Sequence, residues 1–245
     1  MAALPRVLLV EDDATLRRFV AMALEDMPID LVQCDAVAPA LALLAQDPFV
    51  LVLTDLMMPG ESGFDLLEHL HRTPALRGRA RVAVLSAGLT PEVREQLADM
   101  EVWRMLSKPV SVGTLVACVQ DAIEGNAEAA PPDGLARQPQ AGDRAHAVQE
   151  YFDGNQELFD AYRSACMEQF PHDMREGDDA STQADLQPLR RVAHSLKSVL
   201  LTLGYRELSA QARMLEETSH AGDRAQARAQ WQALRNALSQ VLQAG

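Results

Sequence analysis

Three acidic side chains stand where apolar runs end: Glu11 and Asp12 directly after VLLV, and Asp55 directly after VLVLT. Carboxylates gathered at one point repel each other unless a cation sits among them. A hard divalent ion that takes few protein oxygens and keeps several waters, Mg2+, suits such a set. A carboxylate oxygen can also accept a phosphoryl group and become an aspartyl phosphate. Taken singly, the same acids read as solvated loop residues, and Asp13, ahead of a helical pattern, reads as an N-cap. A second group lies in AHSLKSVLLTLG, residues 193–204, where Lys197 follows His194 by one helical turn. Leu189, Val192, Leu196, Val199 and Leu203 step by three and four and form a core stripe. At about 100° per residue His194 lies roughly 200° from Val192, on the opposite face, so it is expected to face water. By position alone it reads as an ordinary surface histidine. An exposed imidazole beside a cation also fits phosphoryl acceptance, since phosphohistidine adds negative charge next to an available ammonium. Ser198 is small and would leave the approach open.

Strands must deliver the acids. RVLLV, IDLVQC, FVLVLTD, RVAVLS and VWRML read as strands, and FVLVLTD is too continuously apolar to have one wet face, which predicts a parallel strand covered on both sides. Helix-period segments lie between them, as in Leu16, Val20, Ala23 and Met27. This alternation predicts an α/β doubly wound five-stranded parallel sheet with its site at the carboxyl ends of the strands. Strands one and three are neighbours in the common order, so Glu11, Asp12 and Asp55 would meet at one rim. Residues 125–144, GNAEAAPPDGLARQPQAGDR, have no apolar period and read as a flexible linker with a reach of roughly 25 Å. Beyond it the periods are helical throughout. They begin with a helix over Leu158–Phe170, followed by the His194 helix, one through Leu208, Ala212 and Leu215, and one from Ala227 to Val241. The expected division is residues 1–124, linker 125–144, and an all-α four-helix bundle over 145–245.

The formal charge of −13 over 245 residues, with no clustered Lys/Arg face, argues against a nucleic-acid partner. No apolar run approaches the roughly 20 residues of a membrane helix. The first residues lack the apolar core of a signal peptide, because acids follow VLLV at once. Cys34, Cys118 and Cys166 suggest neither a disulfide framework nor a zinc site. A soluble, cytoplasmic protein is expected.

LLVEDDATLRR, TDLMMPGESGFDLL, VLSA and LSKPV occur in this order, and the series resembles the receiver domain of two-component response regulators over about residues 4–124. The resemblance implies a flavodoxin-like sheet with Asp55 as phosphoacceptor. It implies that Glu11 and Asp12 hold Mg2+ with Asp55 and the backbone carbonyl of Met57, that Ser86 contacts the phosphoryl group, and that Lys108 pairs with it. Pro109 stands where receivers commonly have a cis peptide. Two residues depart from the pattern: Met105 replaces the usual aromatic residue three before the lysine, and Glu101–Val102 replace a Gly-Ala pair. These bear on signalling through the neighbouring face rather than on phosphorylation.

AHSLKSVLLTLG with the following LSAQARMLEE resembles the histidine-containing phosphotransfer (HPt) domain over about residues 145–243, with Ser198 replacing the usual glycine. The resemblance implies that His194 is phosphorylated and that Lys197 assists. Together they imply a phosphorelay intermediate with two acceptors and no kinase, since no nucleotide-binding glycine pattern is present. A sensor or hybrid histidine kinase and a downstream response regulator are the implied partners. The alternative is a receiver that gates the HPt domain without passing phosphate to it. An aspartate-nucleophile phosphatase is disfavoured, because the place for its second acid holds Met57.

Overall fold

A computed structural model describes residues 3–87, 91–125, 144–183 and 185–244, and these form two units. Most of the expected linker lies outside the described residues. Its two ends are described: Gly125 closes a helix in the left-handed conformation at φ 76, and Arg144 opens the next.

The first unit runs β1 (Arg6–Val10), α1 (Ala14–Ala23), β2 (Asp30–Cys34), α2 (Val37–Gln46), β3 (Leu51–Asp55), α3 (Gly63–Arg72), α4 (Pro74–Arg77), β4 (Arg81–Ser86), α5 (Pro91–Ala98), β5 (Arg104–Ser107) and α6 (Val112–Glu124). All five strands are parallel, in the order β2-β1-β3-β4-β5, the flavodoxin-like arrangement. The apolar continuity of β1 and β3 has the cause the sequence suggests. Val7 to Val10 and Leu51 to Leu53 are all fully buried, because helices cover both faces. On one face Leu8, Val10, Val52 and Val84 pack with Val37 and Leu44 of α2, Leu66 and Leu70 of α3, and Leu97 of α5. Met105 and Val102, the departures near β5, are half-buried against the same cluster.

The second unit contains α7 (Arg144–Tyr151), α8 (Gln156–Thr182), α9 (Gln187–Thr202), α10 (Arg206–Ala221) and α11 (Arg224–Ala244). α9 packs on α8 and α10, and α11 packs on α10 and α8, so the four long helices close a ring while short α7 rests on α9. α8 differs from the sequence expectation: it runs to Thr182, straight through Pro171. An interior proline removes one hydrogen bond and clashes with the preceding turn. Packing offsets that cost, for Gly177 and Ala180 are buried and a Cβ on Gly177 would lie 2.2 Å from the ring of Trp231. Asp178 adds a polar anchor, accepting from Trp231 Nε1 at 3.0 Å and Arg235 Nε at 2.8 Å.

Candidate phosphoacceptor sites

The register pairs Val10 with Thr54, so Glu11 and Asp55 leave neighbouring strands at the same level. The loop after β1 is held from both sides. Glu11 N donates to Cys34 O at 3.1 Å, and Asp13 caps α1 by accepting from Thr15 N at 2.8 Å and Leu16 N at 3.1 Å. Asp55 ends β3, and α3 is seated directly on its peptide. A Cβ on Gly63 would lie 1.9 Å from Asp55 O, so only glycine permits that approach. A capping box between Ser62 and Asp65 fixes the same helix end. Lys108 N donates to Ser86 O at 2.8 Å, and the peptide from Lys108 to Pro109 is cis.

These elements bring together one oxygen each from Glu11, Asp12 and Asp55, all within 4.8 Å of one another. Lys108 Nζ reaches Glu11 Oε2 at 2.7 Å and Asp55 Oδ2 at 2.9 Å. All three of those side chains are at most 4% exposed, whereas Asp12 is half-buried and forms the open side. Ser86 is buried at the end of β4, one residue past the Asp55↔Leu85 pair, so it shares this rim. Met57 lies two residues beyond Asp55, half-buried in the following loop.

In the second unit, His194 departs from expectation. It does lie off the stripe of Leu189, Val192, Leu196 and Val199, yet its side chain is only 12% exposed. The cause is Glu216 on α10. Its Oε1 lies 2.6 Å from His194 Nδ1, and its Oε2 accepts from Lys197 Nζ at 2.5 Å. His194 Nε2 is covered and has no hydrogen-bond partner. A single-helix wheel cannot register a neighbouring helix. Here Ser209 Oγ of α10 donates to Lys197 O at 2.7 Å and sets α10 beside the histidine.

The profile of the response regulator receiver domain matches residues 7–120, and that of the Hpt domain matches residues 140–244. The chain is a receiver domain followed by an Hpt domain. It is 30% identical to the response regulator protein PilR of Pseudomonas aeruginosa over 131 residues, covering 52% of this chain and 29% of PilR. It is 25% identical to the sensory/regulatory protein RpfC of Xanthomonas campestris over 255 residues, covering 97% of this chain and 33% of RpfC. A crystal structure of a response regulator receiver protein from Pseudomonas putida, 31% identical, covers 49% of this chain and 99% of its own, with a TM-score of 0.46. The chain thus spans only about a third of the length of these curated relatives, 29% of one and 33% of the other.

Charge is balanced differently in the two domains. In the receiver, burial and then the Asp55 charge push the Asp12 carboxyl up to about 6. Burial also pushes Glu11 well up, against the pull of Lys108. Two carboxyls held above their ordinary range beside a third carboxylate are what a divalent cation would relieve, and the all-oxygen donor set suits a hard ion. Lys108 stays protonated, because Asp55 and Glu11 outweigh its own burial. In the Hpt domain the order reverses. Burial would raise Glu216, but His194 and then Lys197 bring its carboxyl down to about 2. As the acceptor for Nδ1–H, that carboxylate selects the tautomer whose lone pair is on Nε2. Glu216 joins both candidate residues of this site, and no motif or spacing in the sequence marks it. It lies in the quoted LSAQARMLEE, but nothing there distinguishes it from Glu217.

Proposed function

We propose that this chain is a phosphorelay intermediate in which Asp55 and His194 hold the same phosphoryl group in turn. The observation that supports it most is the convergence of Glu11, Asp12, Asp55 and Lys108 at one strand-end pocket, in the same chain as a histidine that shares the Glu216 carboxylate with Lys197. The working boundaries are a receiver over 1–124, a linker over 125–144 and an Hpt bundle over 145–245. A histidine kinase supplies the phosphoryl group and a downstream response regulator removes it. Among the described residues no helix is long and apolar enough to cross a membrane, which agrees with action in the cytoplasm.

An Asp55 carboxylate oxygen attacks phosphorus as the partner's P–N bond breaks, leaving the partner's imidazole free. Lys108 remains protonated and pairs with the transferred oxygens, and the Ser86 hydroxyl donates to them. Glu11, Asp12, Asp55 and the Met57 carbonyl would hold Mg2+, which when bound spreads the negative charge of the phosphoryl oxygens. In the second step His194 Nε2 attacks the aspartyl phosphate, the P–O bond breaks, and Asp55 returns to a carboxylate. His194 Nδ1 keeps its proton throughout, donating it to the Glu216 carboxylate, and Lys197 turns to the new phosphoryl oxygens. The covered Nε2 must be uncovered before either partner reaches it. That cover also favours a second reading, in which the receiver regulates this opening without passing phosphate to the Hpt domain.

Incubation of the full chain with a phosphorylated histidine kinase tests the sequence of steps. Label is expected on Asp55 and then on His194. The Asp55→Asn chain should lose most His194 labelling, and the His194→Gln chain should retain label on Asp55. Undiminished His194 labelling in the Asp55→Asn chain would overturn the sequential relay.

A further inference from the structure

The acids after β1 are aimed by a residue outside the pocket. Arg17, in the first turns of α1, turns back along the loop, and its Nη1 donates to Glu11 O at 2.5 Å and to Asp12 O at 2.8 Å. One guanidinium nitrogen thus gathers two successive carbonyls. Successive peptides held by their oxygens in this way have little freedom to rotate, so the side chains of Glu11 and Asp12 have a fixed direction. The clamp is anchored by α1, whose N-cap Asp13 is the next residue of the same loop. We propose that Arg17 is a positioning residue for the divalent-ion site, holding Glu11 and Asp12 in the geometry that grips the cation. This rests on the reading of the receiver pocket as a Mg2+ site.

Geometry and charge give opposite signs here. Arg17 is a cation close to an anionic pocket, so its field alone weakens binding of another cation. If field were its only effect, Arg17→Gln would bind Mg2+ more tightly. If Arg17 positions the acids, the same change weakens binding by roughly tenfold, the lower end of the loss seen when groups that orient metal ligands are removed. Arg17→Lys keeps the charge and a donor but on a shorter side chain that does not reach both carbonyls as Nη1 does, so it should fall between wild type and Arg17→Gln.

The test is a titration of the full chain with Mg2+ alone, read as amide shifts of residues 10–13 by NMR. Metal-free melting temperature is measured alongside. A weaker Mg2+ affinity in Arg17→Gln, partly rescued in Arg17→Lys and out of proportion to any change in melting temperature, supports positioning. Equal or tighter binding by Arg17→Gln overturns it. If Arg17→Gln fails to fold, Arg17→Lys decides alone, and wild-type affinity in that variant overturns the proposal. A wild-type chain that binds no Mg2+ overturns the reading beneath it, a separate result from an unaltered variant.

Discussion

Glu216 carries the balance of the Hpt site at the scale of a single residue. Its carboxyl is held at about 2, below the ordinary 4.5, by the His194 hydrogen bond and Lys197 against the opposing effect of burial. The folded protein therefore binds that proton less readily than the unfolded chain does. The resulting stabilisation is complete above about pH 5 and is lost as pH falls towards 2. Its upper bound is about 3 kcal/mol, and solvent at the half-buried carboxylate reduces that to roughly 2 kcal/mol. Acid titration of the full chain by circular dichroism should show this loss in the helical bundle, and Glu216→Gln should abolish that part of the pH dependence. The same variant should slow phosphoryl acceptance at His194 by about tenfold or more, since it frees the ring to adopt the wrong tautomer. Unchanged acceptance would reduce Glu216 to a packing role. Nothing in LSAQARMLEE announces this residue, because the signal is the pairing of two helices and not any spacing along one.

At the scale of elements, two glycines set close approaches that larger residues would block. Gly63 lets α3 sit on the Asp55 peptide, with a would-be Cβ only 1.9 Å from the carbonyl oxygen. Gly63→Ala should push α3 or Asp55 aside and lower Asp55 phosphorylation by a small-molecule phosphodonor. Gly177 lets α8 meet Trp231, and Gly177→Ala should destabilise the bundle by roughly 1–3 kcal/mol through overpacking, measured by urea unfolding. The strands were legible because buried parallel strands are continuously apolar, and observed β1 coincides with RVLLV. Asp13 as the cap of α1 was legible for the same local reason. The second half of α8 was not. A proline and an acidic run hide a helix that persists because Trp231 and Arg235 hold Asp178. Short α7 gave no periodic signal either, since its burial rests on Ala147, Val148 and Tyr151 alone.

At the scale of the whole molecule, the receiver pocket was readable as a set of acids ending separate strands, because α/β topology gathers strand ends at one rim. The meeting of Glu11, Asp12 and Asp55 follows from that rule, whereas Lys108 is marked only by the resemblance to receiver domains. Exposure of His194 did not follow, because a helix wheel counts one neighbour and α9 has several. The proposed relay requires one chain to hold the same phosphoryl group first on carboxylate and then on imidazole. The direct measurement labels Asp55 with radiolabelled acetyl phosphate and Mg2+, removes the donor, and follows the label with time. Base-labile aspartyl label should decay while base-stable, acid-labile label rises on His194, and Asp55→Asn should never acquire the second signal. Label that leaves Asp55 only as free phosphate, or that reaches His194 equally in Asp55→Asn, would contradict it.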